Sequence, residues 1–382
     1  MSYGARVARF RWRDVEAAPP SSVTTLELFF DLVFVFTFTQ LTALLEEDLS
    51  PAGAGRVFLV FGVLWWMYGG YAWLTNQVAP RRPLQQFLLL VGMAGFLIAA
   101  VSVPHAFDGT GVEFGLGYLV VVCVHLALFS QSTGQHGTRR LAPFNLTSAL
   151  LLVAAGFVES PLKYALWVAA FGLQVVTPFL SVAPLFELNT AHFVERHGLL
   201  MIVALGETVI AIGLGVDATN VTTSVLASVV LALALPAALW WSYFSGDDVA
   251  AERALARAET ARRAVLAIRA YFYAHIPMLL GIVVAAAGIH VAIEHPGAAM
   301  DLGGALALAG GVALFVAGEA EFRRVLRVGP FVPRLVTALL ALATVPVGLT
   351  LPAVVQLAAL IAVVVVVLAS ERAHPSAVAM SS

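Results

Sequence analysis

The sequence predicts an all-α fold, a polytopic transmembrane helix bundle of about 12 spans, and three observations carry that expectation. The chain is 60% hydrophobic and only 12% charged, where soluble globular chains devote about a quarter of their residues to charge. Apolar stretches recur from Val23 to Glu371, each near the ~20 residues a helix needs to cross about 30 Å of hydrocarbon. Nearly all positive charges fall in alternate gaps between those stretches. The runs are long and unbroken, without the alternating dyads of a barrel, so helices are the way to satisfy the backbone.

Taken in order, residues 1–22 form an N-terminal tail with no apolar core, so the first segment reads as an uncleaved span rather than a signal peptide. Spans are expected at about 23–45, 55–76, 84–104, 112–133, 141–158 and 162–182, then 195–216, 221–245, 265–293, 302–322, 332–349 and 351–370. Pro352 leaves almost no loop between the last two, which are either two tightly joined spans or one kinked, re-entrant element. Asp247 to Ala270 is the longest loop, Ala-rich, with Glu259 and Arg263 spaced as a helical pair; it is expected to extend span nine. Residues 372–382 form the C-terminal tail. Cys123 is the lone cysteine, so no disulfide or cysteine metal cluster can form within the chain.

Of 21 Lys and Arg residues, all but Arg56 and Lys163 lie on one set of gaps. These include Arg6, Arg9, Arg11 and Arg13 before span one, Arg81 and Arg82 after two, Arg139 and Arg140 after four, and Arg196 opening seven. The positive-inside rule therefore places both termini and the 247–264 loop in the cytoplasm. A net charge of -2 offers no footprint for nucleic acid.

Parts of the chain repeat. Leu64–Tyr68 matches Leu239–Tyr243 in a Leu-Trp-Trp-x-Tyr pattern, Leu126–Phe129 matches Val312–Phe315, and Leu146–Ala149 matches Val336–Leu339, all in the same order. The expectation is two six-helix membrane repeats, 23–184 and 185–371, related by an axis along the membrane normal.

Polar residues inside the spans are the candidates for function. Glu27 and Asp31 share a helix face. Thr24 with Glu27 reads as a capping box, whereas Asp31 lies about two turns inside, where a carboxylate costs roughly 2.5–3.5 kcal/mol to insert. Glu207 falls near the expected midplane of span seven. Arg196 shares its face about 16 Å away, too far to pair with it, so each needs another partner. Glu195, His197 and Gln40 complete the candidate set. His192 and His197 are five apart, on different helix faces, which speaks against a zinc hydrolase, and no phosphate-cradling loop or Gly-x-Ser-x-Gly elbow occurs. The paired glycines 69–70, 303–304 and 310–311 suit close helix approach.

With these motifs in view the chain resembles the bacterial low-temperature-requirement A family. The run Glu27 to Phe36, the Glu195–Leu199 stretch, Leu205–Thr208 and Leu239–Tyr243 carry the likeness. The resemblance implies a multi-pass protein of the bacterial inner membrane associated with growth in the cold; it brings no biochemical activity, cofactor or metal. Two functions are consistent with the chain: a secondary transporter or ion channel for a proton, a monovalent ion or a small solute, or a membrane-embedded adaptation or assembly factor through which nothing crosses. Neither is an enzyme, and either can work within the lipid bilayer as a homo-oligomer. A polar cavity between spans one and seven is expected of transport; a dry, packed interface is expected of the structural role.

Overall fold

Thr24 starts the first helix. Its side-chain oxygen accepts the Glu27 amide, and the Glu27 carboxylate returns to the Thr24 amide at 2.9 Å, so two orphan donors are satisfied reciprocally. This is α1 (Thr25–Glu47) of a computed structural model that describes residues 23–77, 80, 82–130, 135–180, 188–216, 219 and 221–373. The side chains of 135–140, 177–180 and 372–373 lie outside that description, as do both tails and Arg6, Arg9, Arg11, Arg13 and Arg81.

The next two helices, α2 (Pro51–Gln77) and α3 (Pro83–Val101), open on proline, whose missing N–H is harmless in a first turn. Then come α4 (Gly111–Phe129), α5 (Gln135–Ala155) and α6 (Leu162–Leu180). Asn189 caps α7 (Thr190–Leu214) and Thr222 caps α8 (Thr223–Phe244). The expected loop is two short helices, α9 (Asp247–Arg257) and α10 (Thr260–Ala267). Arg263 does not pair with Glu259 as its spacing suggested; it donates to the carbonyls of Leu255, Ala256 and Ala258 and closes the end of α9. A π-helical turn, Ile268–Tyr273, leads into α11 (His275–Glu294), and α12 (Leu302–Leu326) packs back on it.

The final stretch resolves into α13 (Val332–Leu342), α14 (Val345–Thr350) and α15 (Ala353–Ala373). The chain turns at Leu351–Pro352 beside the α11–α12 loop, where Met300 donates to Gly348 and Ala353 to Ala298. Spans eleven and twelve are thus two elements packed on each other. Among the described residues, ten helical stretches are long and apolar enough to cross a membrane; Leu141–Ala155 and Leu162–Val176 are shorter apolar helices.

Helices α1 and α7 begin on one face of the bundle, here the start face, and end on the far face. Packing falls into two sets of helices. In the first set α1 meets α2 and α3, α3 meets α4, α4 meets α5, α5 meets α6 and α6 returns to α2. In the second, α7 meets α8 and α11, α11 meets α12, α12 meets α13, α13 meets α15 and α15 returns to α8. Between the sets, α1 and α2 both touch α7 and α11. This joint is one-sided in its aromatics: Trp65 of α2 is 1% exposed, while Trp240, its counterpart in the repeated motif, is 45% exposed.

Small residues permit the tightest pair, α11 on α12. A Cβ on Gly311 would stand 2.2 Å from the Ala285 amide nitrogen, and one on Gly288 2.3 Å from that of Leu308. Gly310 has open space instead, since it lies on the other side of α12.

Candidate functional site

Glu27 and Asp31 project from α1 toward α7 near the start face, and Arg196 lies between them. Its Nη2 donates to Asp31 Oδ1 at 3.0 Å and its Nη1 to Glu27 Oε1 at 3.2 Å. The same Nη1 donates to the Thr75 hydroxyl of α2. The guanidinium stands 5.6 Å from the ring centres of both Phe30 and Tyr68, a setting its planar, delocalised charge suits.

His192 completes the cluster, and a neighbour sets its tautomer. Asn76 accepts the Asn189 amide with its oxygen at 3.0 Å, which turns its NH2 toward the Asn189 carbonyl and toward His192 Nδ1 at 3.3 Å. Nδ1 is therefore an acceptor, so the proton rests on Nε2 and is donated to Glu27 at 3.2 Å. All these ionisable side chains are buried. Leaving water costs an ion several kcal/mol, and only good geometry with further hydrogen bonds returns that cost. Here the return is incomplete: Asp31 Oδ2, the Tyr68 hydroxyl beside it and Arg196 Nε are buried without a close hydrogen bond.

Glu207 occupies a second station on the same seam. Helix α7 begins at Thr190, earlier than the sequence suggests, so its midpoint is Ile202 and Glu207 sits about 7 Å beyond it toward the far face. The carboxylate accepts the Thr39 hydroxyl at 2.6 Å, and the Thr42 hydroxyl, buried and unpartnered, lies beside it. One turn farther along α1, Glu46 accepts His290 Nδ1 of α11 at 2.6 Å. Between the two stations Phe34, Phe38, Leu200 and Met201 are fully buried. The seam there is packed with apolar side chains.

The remaining candidates go elsewhere. Glu195 is exposed and accepts the Val23 amide at 3.2 Å. His197 is buried but turns away, donating to Phe193 O at 2.8 Å with its ring against Tyr271 and His275. Gln40 is half-buried and outside both stations. Among the described residues no three His, Cys, Asp or Glu side chains are grouped to hold a metal. A cavity of about 10 Å³, bounded by Leu74, Thr75, Pro80, Gln85, Leu89 and Leu128, lies to the side of the seam next to Thr75; that is about room for one water.

Sequence reasoning missed a second charged network on the start face. Arg334 contacts Glu319 at 3.5 Å and Glu371 at 3.2 Å, and also donates to Ser242. Arg323 joins Glu371 at 3.1 Å to Asp247 at 2.6 Å. The signal was present, because Glu319 is an acid inside an apolar run, as Asp31 is; both arginines read only as loop charges.

Apolar helices of spanning length, with buried ions gathered on one seam and one face, define a polytopic integral membrane protein. The chain belongs to the bacterial low temperature requirement A protein (LtrA) family, whose family model matches residues 22–369. It is similar to uncharacterized protein RA0937 of Rhizobium meliloti (strain 1021), with 28% identity over 335 residues, 82% of this chain and 80% of that protein. No solved structure matches it.

Proposed function

We propose that this LtrA-family protein is a secondary transporter or ion channel of the inner membrane, with its pathway along the α1–α7 seam and closed in the form described. The observation that carries the reading is Glu207, a buried carboxylate whose close partners are hydroxyls rather than a cation. A group that only held helices together would be cheaper as an amide; an uncompensated acid in a membrane is by default a functional one. Two similar packing circuits meeting at this seam suit duplicated six-span halves that rock against each other. The arginine distribution supports an orientation with the start face, and with it both termini, toward the cytoplasm.

A second reading is favoured by a specific observation. The packed segment at Phe34, Phe38, Leu200 and Met201, together with the Arg196 ion cluster, suits an adaptation or assembly factor that transports nothing. Flux of protons and alkali cations into proteoliposomes separates the two. Transport by the wild type that Glu207→Gln abolishes, at unchanged yield and melting temperature, supports the first; a tight wild-type bilayer for every ion tested supports the second.

A further inference from the structure

We propose that the species bound at Glu207 is a proton, delivered from the far face through Glu46 and His290. This rests on the transport reading and gives it a cargo or coupling ion.

The coordination favours a proton over an alkali cation. Around the Glu207 carboxylate stand two threonine hydroxyls, Thr39 donating at 2.6 Å and Thr42 idle and buried. With the carboxylate's own oxygens this is a small donor set, whereas a bare cation must replace most of its hydration shell with oxygen ligands. The idle hydroxyl fits both protonation states: it can donate to a carboxylate and can accept from a carboxylic acid.

The charges facing Glu207 favour the same occupant. From α1 it faces Glu46, and from α11 His290 and Glu294 stand at the same end. Arg56 of α2 is held by Asp48 at 2.5 Å. Helix α8 carries no titratable residue from Thr223 to Trp241. Taking up a proton removes the uncompensated charge outright.

Exposure is graded along this line. The Glu294 side chain is 58% exposed, Glu46 and His290 are each 25% exposed, and Glu207 is 2% exposed. Glu46 lies four residues after Thr42, one turn on along the same face of α1. In the transfer Glu46, as the carboxylic acid, gives its proton to the Glu207 carboxylate across the Thr42 hydroxyl; Glu46 is left ionised against His290. Toward the start face, Phe38 and Phe34 close the route.

Infrared difference spectroscopy of the reconstituted protein tests binding without requiring flux. Acidification is expected to raise a carboxylic-acid carbonyl band in the wild type that Glu207→Gln lacks, that Thr39→Val shifts, and that survives exchange of choline for sodium or potassium. Hydrogen–deuterium exchange of that band should slow at least several-fold in Glu46→Gln and His290→Gln. A wild type without the band, a band retained in Glu207→Gln, or one removed by sodium or potassium at constant pH would overturn the proton assignment. Unchanged exchange in both far-face variants would overturn the route. A band with these properties in a protein that moves no ion leaves the proton site standing and removes the transport reading.

Discussion

Asp31 and Arg196 meet at 3.0 Å from equal positions, each the seventh residue after the cap of its helix, Thr24 and Asn189. Glu27 and His192, in contact at 3.2 Å, are likewise each the third residue after those caps. Helices α1 and α7 therefore run side by side in register, with their N-caps level.

Removing one partner of a buried pair strands the other's charge, at a cost of about 3–5 kcal/mol. Arg196→Ala should lower stability by that amount, because Glu27 and Asp31 both lose their cation. Asp31→Asn combined with Arg196→Met should lose less than the sum of the single changes. Thermal unfolding in detergent measures the cycle, and strictly additive losses would show the two side chains to be uncoupled.

The two adjacent glycines of α12 should differ in their response to a methyl group. Gly311→Ala drives a methyl into the α11 backbone at Ala285 and is expected to cost about 1–3 kcal/mol. Gly310→Ala meets open space and should stay within about 0.5 kcal/mol of the wild type. Equal melting temperatures for the pair would contradict the packing of α11 on α12.

Trp65 donates its indole N–H to the Phe272 carbonyl at 3.1 Å across the joint between the two helix sets. Trp65→Phe leaves that carbonyl short of a donor, at a cost of about 1–3 kcal/mol. The same change at half-exposed Trp240 should be nearly silent. Unfolding of both variants under one condition makes the comparison.

Topology is open to labelling in intact cells on a Cys123→Ser background. A cysteine at Arg257, on α9, should react with a membrane-impermeant reagent only after the cells are opened. One at Asp108, in the loop between α3 and α4, should react from outside. The reverse pattern would invert the orientation.

What was legible in the sequence was local. The capping box joins Thr24 to Glu27 within one turn, and the expense of Asp31 comes from the apolar run around it. Its partner was hidden because Arg196 reads as a boundary charge until α7 is seen to begin at Thr190. The same shift moved Glu207 off the midplane. Arg323 and Arg334 were counted as loop charges for the same reason: an arginine at a helix end looks alike whether it faces water or a buried carboxylate. Helix rotation was equally illegible. Gly310 and Gly311 are neighbours with opposite surroundings, and two copies of one tryptophan motif differ in burial because only α2 is wedged against the other helix set.

The π-helical turn at Ile268–Tyr273 works as a phase setting for α11. One extra residue in a turn rotates the downstream helix by about 100° relative to an uninterrupted one. Ala274 donates back to Arg269, the Ala270 carbonyl takes the His275 ring N–H, and the Phe272 carbonyl takes the Trp65 indole. The widened turn is thus pinned from both sides. Rewinding it to ordinary α geometry would swing α11 as a cam turns on its shaft and carry His290 away from Glu46, so six residues near one face of the protein decide what meets at the other.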